Sequence, residues 1–96
     1  MISNISVSDL LKYDLGGQII DIRSVQSYNN NYIPGAKNIP KNLLLTEPQK
    51  YLNKYQIYYI YCQSGTRSII VCNRLSKLGY KVVNINGGYE SWILER

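Results

Sequence analysis

Residues 57–68 read IYYIYCQSGTRS, and this stretch decides the fold. Its first five residues are β-branched or aromatic and apolar on both faces, which is typical of a central strand in a parallel sheet. A polar loop follows from Cys62 to Arg67, and residues 68–78 then carry apolar side chains at helical spacing. The apolar face of this predicted helix contains Val71, Cys72, Leu75 and Leu78. The stretch therefore predicts a buried strand, a polar loop and an amphipathic helix.

The rest of the chain continues this alternation of strands and helices. Upstream, the sequence predicts a helix that begins with Ser8 as its N-cap, a strand over 18–22, a short helix within 24–31, a turn over 33–36, an extended piece over 38–40 and two short helices within 41–55. Downstream, it predicts a strand over 81–85, a turn at 87–88 and a helix over 89–94. Alternation of this kind indicates an α/β fold, a parallel sheet with helices on both faces. We expect residues 1–96 to form a single domain.

The composition excludes several kinds of catalytic site. The 96 residues include no His and only two Cys. A Ser-His-Asp or Cys-His mechanism therefore cannot be built from this chain alone, and neither can a zinc site that uses His or four Cys. We expect no metal and no organic cofactor. A catalytic cysteine in this chain must be activated by something other than an imidazole.

Charge and hydropathy suggest where the protein works. The net charge is +5, but the basic residues are scattered along the chain instead of forming a run. Nucleic-acid binders usually cluster such residues, so we expect no nucleic-acid partner and only a general attraction for anions. The apolar run over 57–62 is too short to span a bilayer. With neither an export signal nor a membrane span, we expect a cytoplasmic protein with reduced thiols.

The loop after the predicted central strand carries the candidate chemistry. It contains Cys62, Gln63, Ser64, Gly65, Thr66, Arg67 and Ser68. The carboxyl edge of a parallel sheet is where α/β folds bind their ligands. Because Gly65 allows unusual backbone angles, the peptide N–H groups of the loop can converge in front of Cys62. Such donors, with a nearby Arg, lower the pKa of a thiol without help from His.

Each cysteine also has a purely structural interpretation. Cys62 could be a buried apolar residue at the end of a strand, as free cysteines often are. Its position before a glycine-containing polar loop favours a reactive thiol instead. For Cys72 the position on an apolar helix face favours core packing over a redox role.

Four elements of the sequence resemble the rhodanese-domain family. Asp21-Ile22-Arg23-Ser24 is similar to the family's Asp-x-Arg motif, and Ile33-Pro34-Gly35-Ala36 to its Ile-Pro-Gly-Ala element. Residues 61–68 resemble the active-site loop, and Gly79-Tyr80, Gly87-Gly88 and Trp92 resemble the C-terminal signature. The four elements occur in the family's order and cover almost the whole chain.

The resemblance implies a five-stranded parallel sheet and a sulfurtransferase reaction. Cys62 would take a sulfane sulfur from a small anionic donor such as thiosulfate and pass it from a persulfide to cyanide or a thiol. The loop from Gln63 to Ser68 would bind the donor, with Arg67 adding positive charge. Asp21 and Arg23 would brace the loop, for which we prefer the simpler interpretation of a salt-linked strand end. The acceptor could also be a protein in a sulfur relay.

Three positions depart from the family pattern. Ser27 stands where a Glu is usual, and Asn31 and Tyr32 replace a Gly-His pair. We therefore expect Arg23 to lack its usual carboxylate partner, while Cys62 and its loop are unaffected.

Two other functions are compatible with the same resemblance. Cell-cycle dual-specificity phosphatases share the fold, but their loop usually has five residues between Cys and Arg, whereas this chain has four between Cys62 and Arg67. A catalytically idle protein-binding module is the second alternative. Such modules commonly lack the cysteine, and this chain retains it.

Overall fold

The protein is described by a computed structural model that covers residues 2–13 and 15–96. Five strands form one sheet in the order β1-β5-β4-β2-β3, and every neighbouring pair is parallel. The strands are β1 (Ser3–Ile5), β2 (Gln18–Asp21), β3 (Lys37–Asn38), β4 (Ile57–Tyr61) and β5 (Lys81–Ile85). The helices are α1 (Val7–Lys12), α2 (Val25–Asn30), α3 (Lys41–Thr46), α4 (Thr66–Lys77) and α5 (Gly88–Glu95), with a 3₁₀ turn at Pro48–Lys50. The predicted α/β architecture is confirmed.

The central strand β4 divides two apolar cores because its side chains alternate between the faces of the sheet. Tyr58, Ile60 and Cys62 belong to the core that is covered by α3 and α4. Tyr59 and Tyr61 belong to the core on the opposite face, which includes Val7 of α1 and Trp92 of α5. Helices therefore cover both faces, and the strand that leads to Cys62 is held from both sides.

Helix α4 begins and ends earlier than the sequence pattern predicted. It starts at Thr66 instead of Ser68, because Gly65 adopts a φ of 94° and turns the chain directly into the helix. Its last residue is Lys77, and Leu78 is 53% exposed instead of lying on the buried face. The prediction for Leu78 was wrong because the helix ends before that residue completes the turn.

The N-terminus also differs from the prediction. Strand β1 was not predicted, since three residues are too few to show a periodic pattern. The N-cap of α1 is Ser6, whose hydroxyl accepts a hydrogen bond from the Asp9 amide at 3.0 Å, and not Ser8. Pairing of Ile5 with Ile85 and burial of Val7 set the helix start two residues earlier.

Candidate active site

Two backbone amides and one side-chain hydroxyl converge on the sulfur of Cys62. The amides of Gly65 and Ser68 donate to Sγ at 3.1 and 3.4 Å. The Ser68 hydroxyl lies 3.4 Å from the same sulfur. Cys62, Gly65 and Ser68 are all buried, so these donors act where water competes little. The loop is a cradle for a negatively charged sulfur.

The cradle lowers the pKa of Cys62. Burial by itself raises the pKa of the thiol, because it disfavours the charged form. Hydrogen bonds from the Ser68 hydroxyl and from the amides of Ser68, Gly65 and Arg67 stabilise the thiolate. These bonds outweigh the effect of burial, so the net shift of the Cys62 pKa is downward.

Helix α5 orients the loop by holding its carbonyl groups. The amide of Tyr89 donates to the Cys62 carbonyl at 2.9 Å, and that of Glu90 donates to the Gln63 carbonyl at 3.0 Å. The C=O and N–H bonds of a peptide group point in opposite directions. When α5 holds a carbonyl oxygen of the loop, the N–H of the same peptide group therefore faces away from α5. The C-terminal glycine pair makes this approach possible, because a Cβ on Gly88 would collide with the Cys62 carbonyl. Gly88 thus contributes to the site, and Gly87 lies against Gly65 of the loop, whereas the sequence predicted a turn and a resemblance to the C-terminal signature there.

Asp21 and Arg23 form an ion pair at the end of β2, beside the loop. Asp21 is fully buried, and its carboxylate accepts from the Arg23 backbone amide at 2.8 Å and from the guanidinium at 2.8 and 3.1 Å. The guanidinium also donates to Gln63 Oε1 at 3.4 Å and lies 4.0 Å from the centre of the Tyr89 ring. Arg23 therefore contacts β2, the loop and α5 at once.

Arg23 has Asp21 as its carboxylate partner at 2.8 Å, which confirms the salt-linked strand end, and Ser27 supplies no carboxylate in place of the usual Glu. At the three unusual positions, Asn31 gives its backbone carbonyl to Arg23 at 2.6 Å, and Tyr32 stacks on Tyr28 at 4.2 Å between ring centres. Ser27 accepts a hydrogen bond from the Ser24 hydroxyl. The Asp21 side chain is shorter than that of Glu, but it reaches the guanidinium because Asp21 is only two residues from Arg23.

Tyr61 links this ion pair to the turn over 33–36. Its hydroxyl donates to Asp21 Oδ2 at 2.6 Å and accepts from the Ile33 amide at 3.1 Å. Burial and the neighbouring Asp21 carboxylate both raise the pKa of Tyr61, so the hydroxyl stays protonated. The sequence placed Tyr61 at the end of a buried strand and at the start of the segment that resembles the active-site loop, but it did not predict these two hydrogen bonds.

A pocket of about 460 Å³ opens in front of Cys62. Of the predicted loop residues, Cys62, Gln63, Ser64, Thr66 and Arg67 line it, whereas Gly65 and Ser68 lie behind the sulfur. Its remaining lining residues are Ile22, Arg23, Ser24, Ser27 and Lys41. Lys41 was not predicted, although its position just after the extended piece at 38–40 places it at the same carboxyl edge. Three of the lining residues are basic, and no lining residue is acidic.

Ser68 is held from behind by the side-chain amide of Asn84, a residue that was not predicted to belong to the site. Its hydroxyl lies 2.5 Å from Oδ1 of Asn84 in β5, and Asn84 Nδ2 donates to Asn4 Oδ1 at 3.1 Å. Asn84 is fully buried and pairs in register with Asn4 of β1. No local pattern marks these two residues, because they meet only when β1 and β5 pair.

The second cysteine is a core residue, as predicted. Cys72 is fully buried on the inner face of α4. Burial, with a smaller contribution from the nearby Cys62, raises the pKa of Cys72 to about 12. This thiol therefore stays protonated at neutral pH.

Within residues 2–13 and 15–96, no group of three or more Cys, Asp and Glu side chains could hold a metal ion. None of the helices in the described part of the chain has the length and apolar character needed to cross a bilayer.

Comparison with known proteins identifies the family. A family model for the rhodanese-like domain matches residues 6–95. A crystal structure of a rhodanese-like domain protein from Staphylococcus aureus superposes with a TM-score of 0.86 at 34% identity, covering 95% of this chain and 91% of that one. YtwF of Bacillus subtilis strain 168 is 32% identical over 91 residues, which are 95% of this chain and 87% of the relative.

The name of a second relative specifies its sulfur donor. Thiosulfate sulfurtransferase GlpE of Tolumonas auensis is 33% identical over 75 residues, which are 77% of this chain and 70% of that protein. Other relatives are longer, and the chain spans only 20% and 40% of two of them. The family match covers nearly the whole chain, and this protein therefore belongs to the rhodanese-like domain family.

Proposed function

We propose that the protein is a sulfurtransferase that moves a sulfane sulfur through a persulfide on Cys62. The observation that carries this proposal is the convergence of the Gly65 and Ser68 amides on the Cys62 sulfur, at the base of a basic pocket. The thiolate is the nucleophilic form of cysteine, and donors placed in this way increase its share at a given pH. Residues 1–96 act as one domain in this proposal.

The first step loads sulfur onto the enzyme. The Cys62 thiolate attacks the outer sulfur of thiosulfate, and a new S–S bond forms while the S–S bond of thiosulfate breaks. Sulfite leaves with the electron pair, and Cys62 becomes a persulfide. The charges of the lining residues Lys41 and Arg67 favour the approach of a dianion and stabilise its sulfonate end, whereas the charge of Arg23 is balanced by Asp21.

The second step unloads the sulfur. Cyanide attacks the terminal sulfur of the persulfide, thiocyanate is released, and the electron pair of the S–S bond returns to Cys62 as the thiolate. A thiol acceptor would become a persulfide in the same way. The loop donors are suited to both steps because Cys62 Sγ is a thiolate before the first step and after the second, and the Gly65 and Ser68 amides donate to this atom.

The remaining site residues hold the loop in position. Asp21 and Arg23 brace Gln63 from the end of β2, and α5 holds the carbonyls of Cys62 and Gln63. A cradle that is already ordered before substrate arrives costs little reorganisation during the reaction. Gln63, Ser64 and Thr66 would contact the bound donor from the rim of the pocket.

The acceptor in this proposal can also be a protein thiol. One of the longer relatives is named adenylyltransferase and sulfurtransferase uba4, from Ogataea parapolymorpha, and it is 28% identical over 75 residues, which are 77% of this chain and 19% of that protein. A domain of this kind within a larger protein supports a place in a sulfur relay. The exposed rim of the pocket would then receive the partner's thiol.

The test begins with thiosulfate and cyanide. We expect the purified protein to release thiocyanate and Cys62→Ser to release none. After thiosulfate alone, intact-mass analysis should find one added sulfur in the wild type and none in the variant. Cys72→Ser serves as the matched control, because loss of the buried thiol should leave the added sulfur in place.

The outcome also separates the alternatives. If the folded protein gains no sulfur and releases no thiocyanate, the proposal is wrong. Hydrolysis of an aryl phosphate that depends on Cys62 would then favour a phosphatase. Absence of both activities would favour a protein-binding module.

A further inference from the structure

The Ser68 hydroxyl cannot satisfy all of its neighbours at the same time. It has one proton, and three acceptors surround it: Asn84 Oδ1 at 2.5 Å, the Gly65 carbonyl at 3.1 Å and the Cys62 sulfur at 3.4 Å. With the proton on the Asn84 side, the hydroxyl can only accept a hydrogen bond from the Cys62 thiol. With the proton on the sulfur side, it stabilises the thiolate. The direction of one O–H bond thus decides which form of Cys62 is favoured.

Asn84 is the neighbour that can accommodate both directions. A side-chain amide offers an acceptor at one end and a donor at the other, and turning it over exchanges the two with little change of shape. With Oδ1 toward Ser68, Asn84 takes the hydroxyl proton. With Nδ2 toward Ser68, it donates to the hydroxyl oxygen and leaves the proton for the thiolate.

The other end of Asn84 meets a second amide that can turn over with it. Asn84 Nδ2 donates to Asn4 Oδ1 at 3.1 Å and lies 3.5 Å from Asn86 Oδ1. Asn4 and Asn84 are paired residues of β1 and β5, so their side chains lie side by side on one face of the sheet. Asn4 and Asn84 are both amides, so both side chains can turn over together. Every hydrogen bond between Asn4 and Cys62 can therefore form whether the donors point toward Cys62 or away from it.

We propose that Asn84 is a positioning residue that sets the direction of the Ser68 hydroxyl proton and thereby tunes the balance between the thiol and the thiolate of Cys62. In the resting state the chain runs from the Cys62 thiol through Ser68 and Asn84 to Asn4. On ionisation of the thiol the chain reverses, and Ser68 donates to the sulfur. Where it concerns catalysis, this inference rests on the proposed function. The effect of Asn84 on the titration of Cys62 does not depend on the proposed function.

Other titratable groups belong to the elements around Cys62, including Asp21, which is paired with Arg23. Arg23 of the β2 end, Lys41 of α3 and Arg67 of α4 line the pocket, while Cys72 lies behind the sulfur on α4 and Glu90 belongs to α5. These groups are unchanged when Asn84 or Ser68 is substituted. A double-mutant comparison therefore isolates the contribution of the hydroxyl.

The experiment measures alkylation of Cys62 by iodoacetamide from acid to alkaline pH, with Cys62→Ser as the blank. Asn84→Asp replaces the reversible amide by a group that only accepts, so it holds the hydroxyl proton away from the sulfur. We expect this variant to shift the alkylation profile to higher pH, with about fivefold slower alkylation at the wild-type midpoint. In a Ser68→Ala background the same substitution should give a clearly smaller shift, caused by its charge alone.

Equal shifts in the two backgrounds would overturn the proposal, since Asn84 would then act only through charge or packing. If Asn84→Asp does not fold, Asn4→Asp on the exposed edge strand gives the same test. The new carboxylate fixes Asn84 Nδ2 toward residue 4 and therefore keeps Oδ1 toward the Ser68 hydroxyl. We expect Asn4→Asp to shift the alkylation profile to higher pH. Ser3→Asp, on the same strand, should not produce this shift. A shift with Ser3→Asp as large as that with Asn4→Asp would also contradict the proposal.

Failure of sulfur transfer is recognised separately, because iodoacetamide requires no sulfur donor. A protein that shows the coupled shifts but releases no thiocyanate would disprove the proposed function and leave the role of Asn84 standing.

Discussion

Gly88 packs directly against the carbonyl oxygen of Cys62, closer than any side-chain carbon could. This contact joins the start of α5 to the loop that holds the Cys62 sulfur. Gly88 also has a φ of 58°, in the left-handed region that favours glycine. Two independent constraints, the backbone angle and the space, thus require glycine at this position.

We expect Gly88→Ala to destabilise the protein and to disturb the cradle. Gly35→Ala is the matched control, since Gly35 has a φ of 88° but no other atom lies within 4 Å of the place that a Cβ would occupy. The control should lose about 1–2 kcal/mol of unfolding free energy from backbone strain alone. Gly88→Ala should lose at least about 1 kcal/mol more, because the Cys62 carbonyl must move. Urea unfolding measures both, and equal losses would contradict the importance of the contact.

The lowered pKa of Cys62 predicts a pH dependence with a definite sign. Alkylation should rise with pH and reach its plateau at lower pH than for an ordinary thiol of pKa about 8.5, because the thiolate is the reactive form. Ser68→Ala should move the profile to higher pH, whereas Ser76→Ala, on the exposed face of α4, should not. A midpoint at or above that of a free thiol would show that the cradle does not stabilise the thiolate.

The same pKa shift predicts how stability depends on pH. A thiol whose pKa is lower in the folded state stabilises the fold fully above its unfolded pKa, and this contribution is lost as pH falls through the folded pKa. The unfolding free energy of the wild type minus that of Cys62→Ser should therefore increase with pH across this window. A difference that stays constant would contradict the prediction.

Cys72 should be unreactive as long as the protein is folded. Its burial raises the pKa of the thiol to about 12, so little thiolate forms at neutral pH. The burial also keeps the reagent away from the sulfur. Thiol titration should find one reactive group in the native protein and two in denaturant. The Cys62→Ser variant should show none until it unfolds, and rapid labelling of native Cys72 would show that α4 opens readily.

Loss of the Tyr61 hydroxyl should be costly. Tyr61→Phe removes a donor to Asp21 and the acceptor of the Ile33 amide, both in the interior. We expect a loss of about 1–3 kcal/mol in unfolding free energy, the usual cost of leaving buried polar groups without partners. Tyr55→Phe, at a residue that is 94% exposed, should change stability by less than about 0.5 kcal/mol. Similar values for the two variants would refute the bracing role of Tyr61.

The positive charges of the pocket should act on donor binding. Under the proposed function, Arg67→Gln and Lys41→Gln should each raise KM for thiosulfate a few-fold, and added salt should reduce the difference from the wild type. Arg74→Gln is the control, since Arg74 lies near the far end of α4. If the control raises KM as much as Arg67→Gln does, the effect comes from net charge and not from the pocket.

Patterns within short segments predicted most of the architecture. The apolar run over 57–61 and the helical spacing after it correctly placed β4 and α4 on either side of the Cys62 loop. The three-residue strand β1 and the exposure of Leu78 were not predicted correctly. A strand of three residues carries too little periodicity, and the end of a helix depends on its cap more than on apolar spacing.

The loop residues were predictable, but their surroundings were not. A cysteine before a glycine-containing loop at the carboxyl end of a strand already indicated a reactive thiol. The parts that Lys41 and Asn84 take in the site were not predicted. They lie on elements far apart in the chain, and only the strand order brings them beside the loop.

By itself, the sequence determined the order of the strands and helices from α1 onward and the position of Cys62 between a strand and a helix, because these follow from side-chain periodicity and from the backbone freedom of Gly65. The tertiary structure decided what surrounds the sulfur. Ser68 meets Asn84 because β5 lies beside β4, and Asn84 meets Asn4, 80 residues away, because β1 pairs with β5 in a particular register. Contacts of this kind depend on which strands become neighbours, and no short segment encodes that choice.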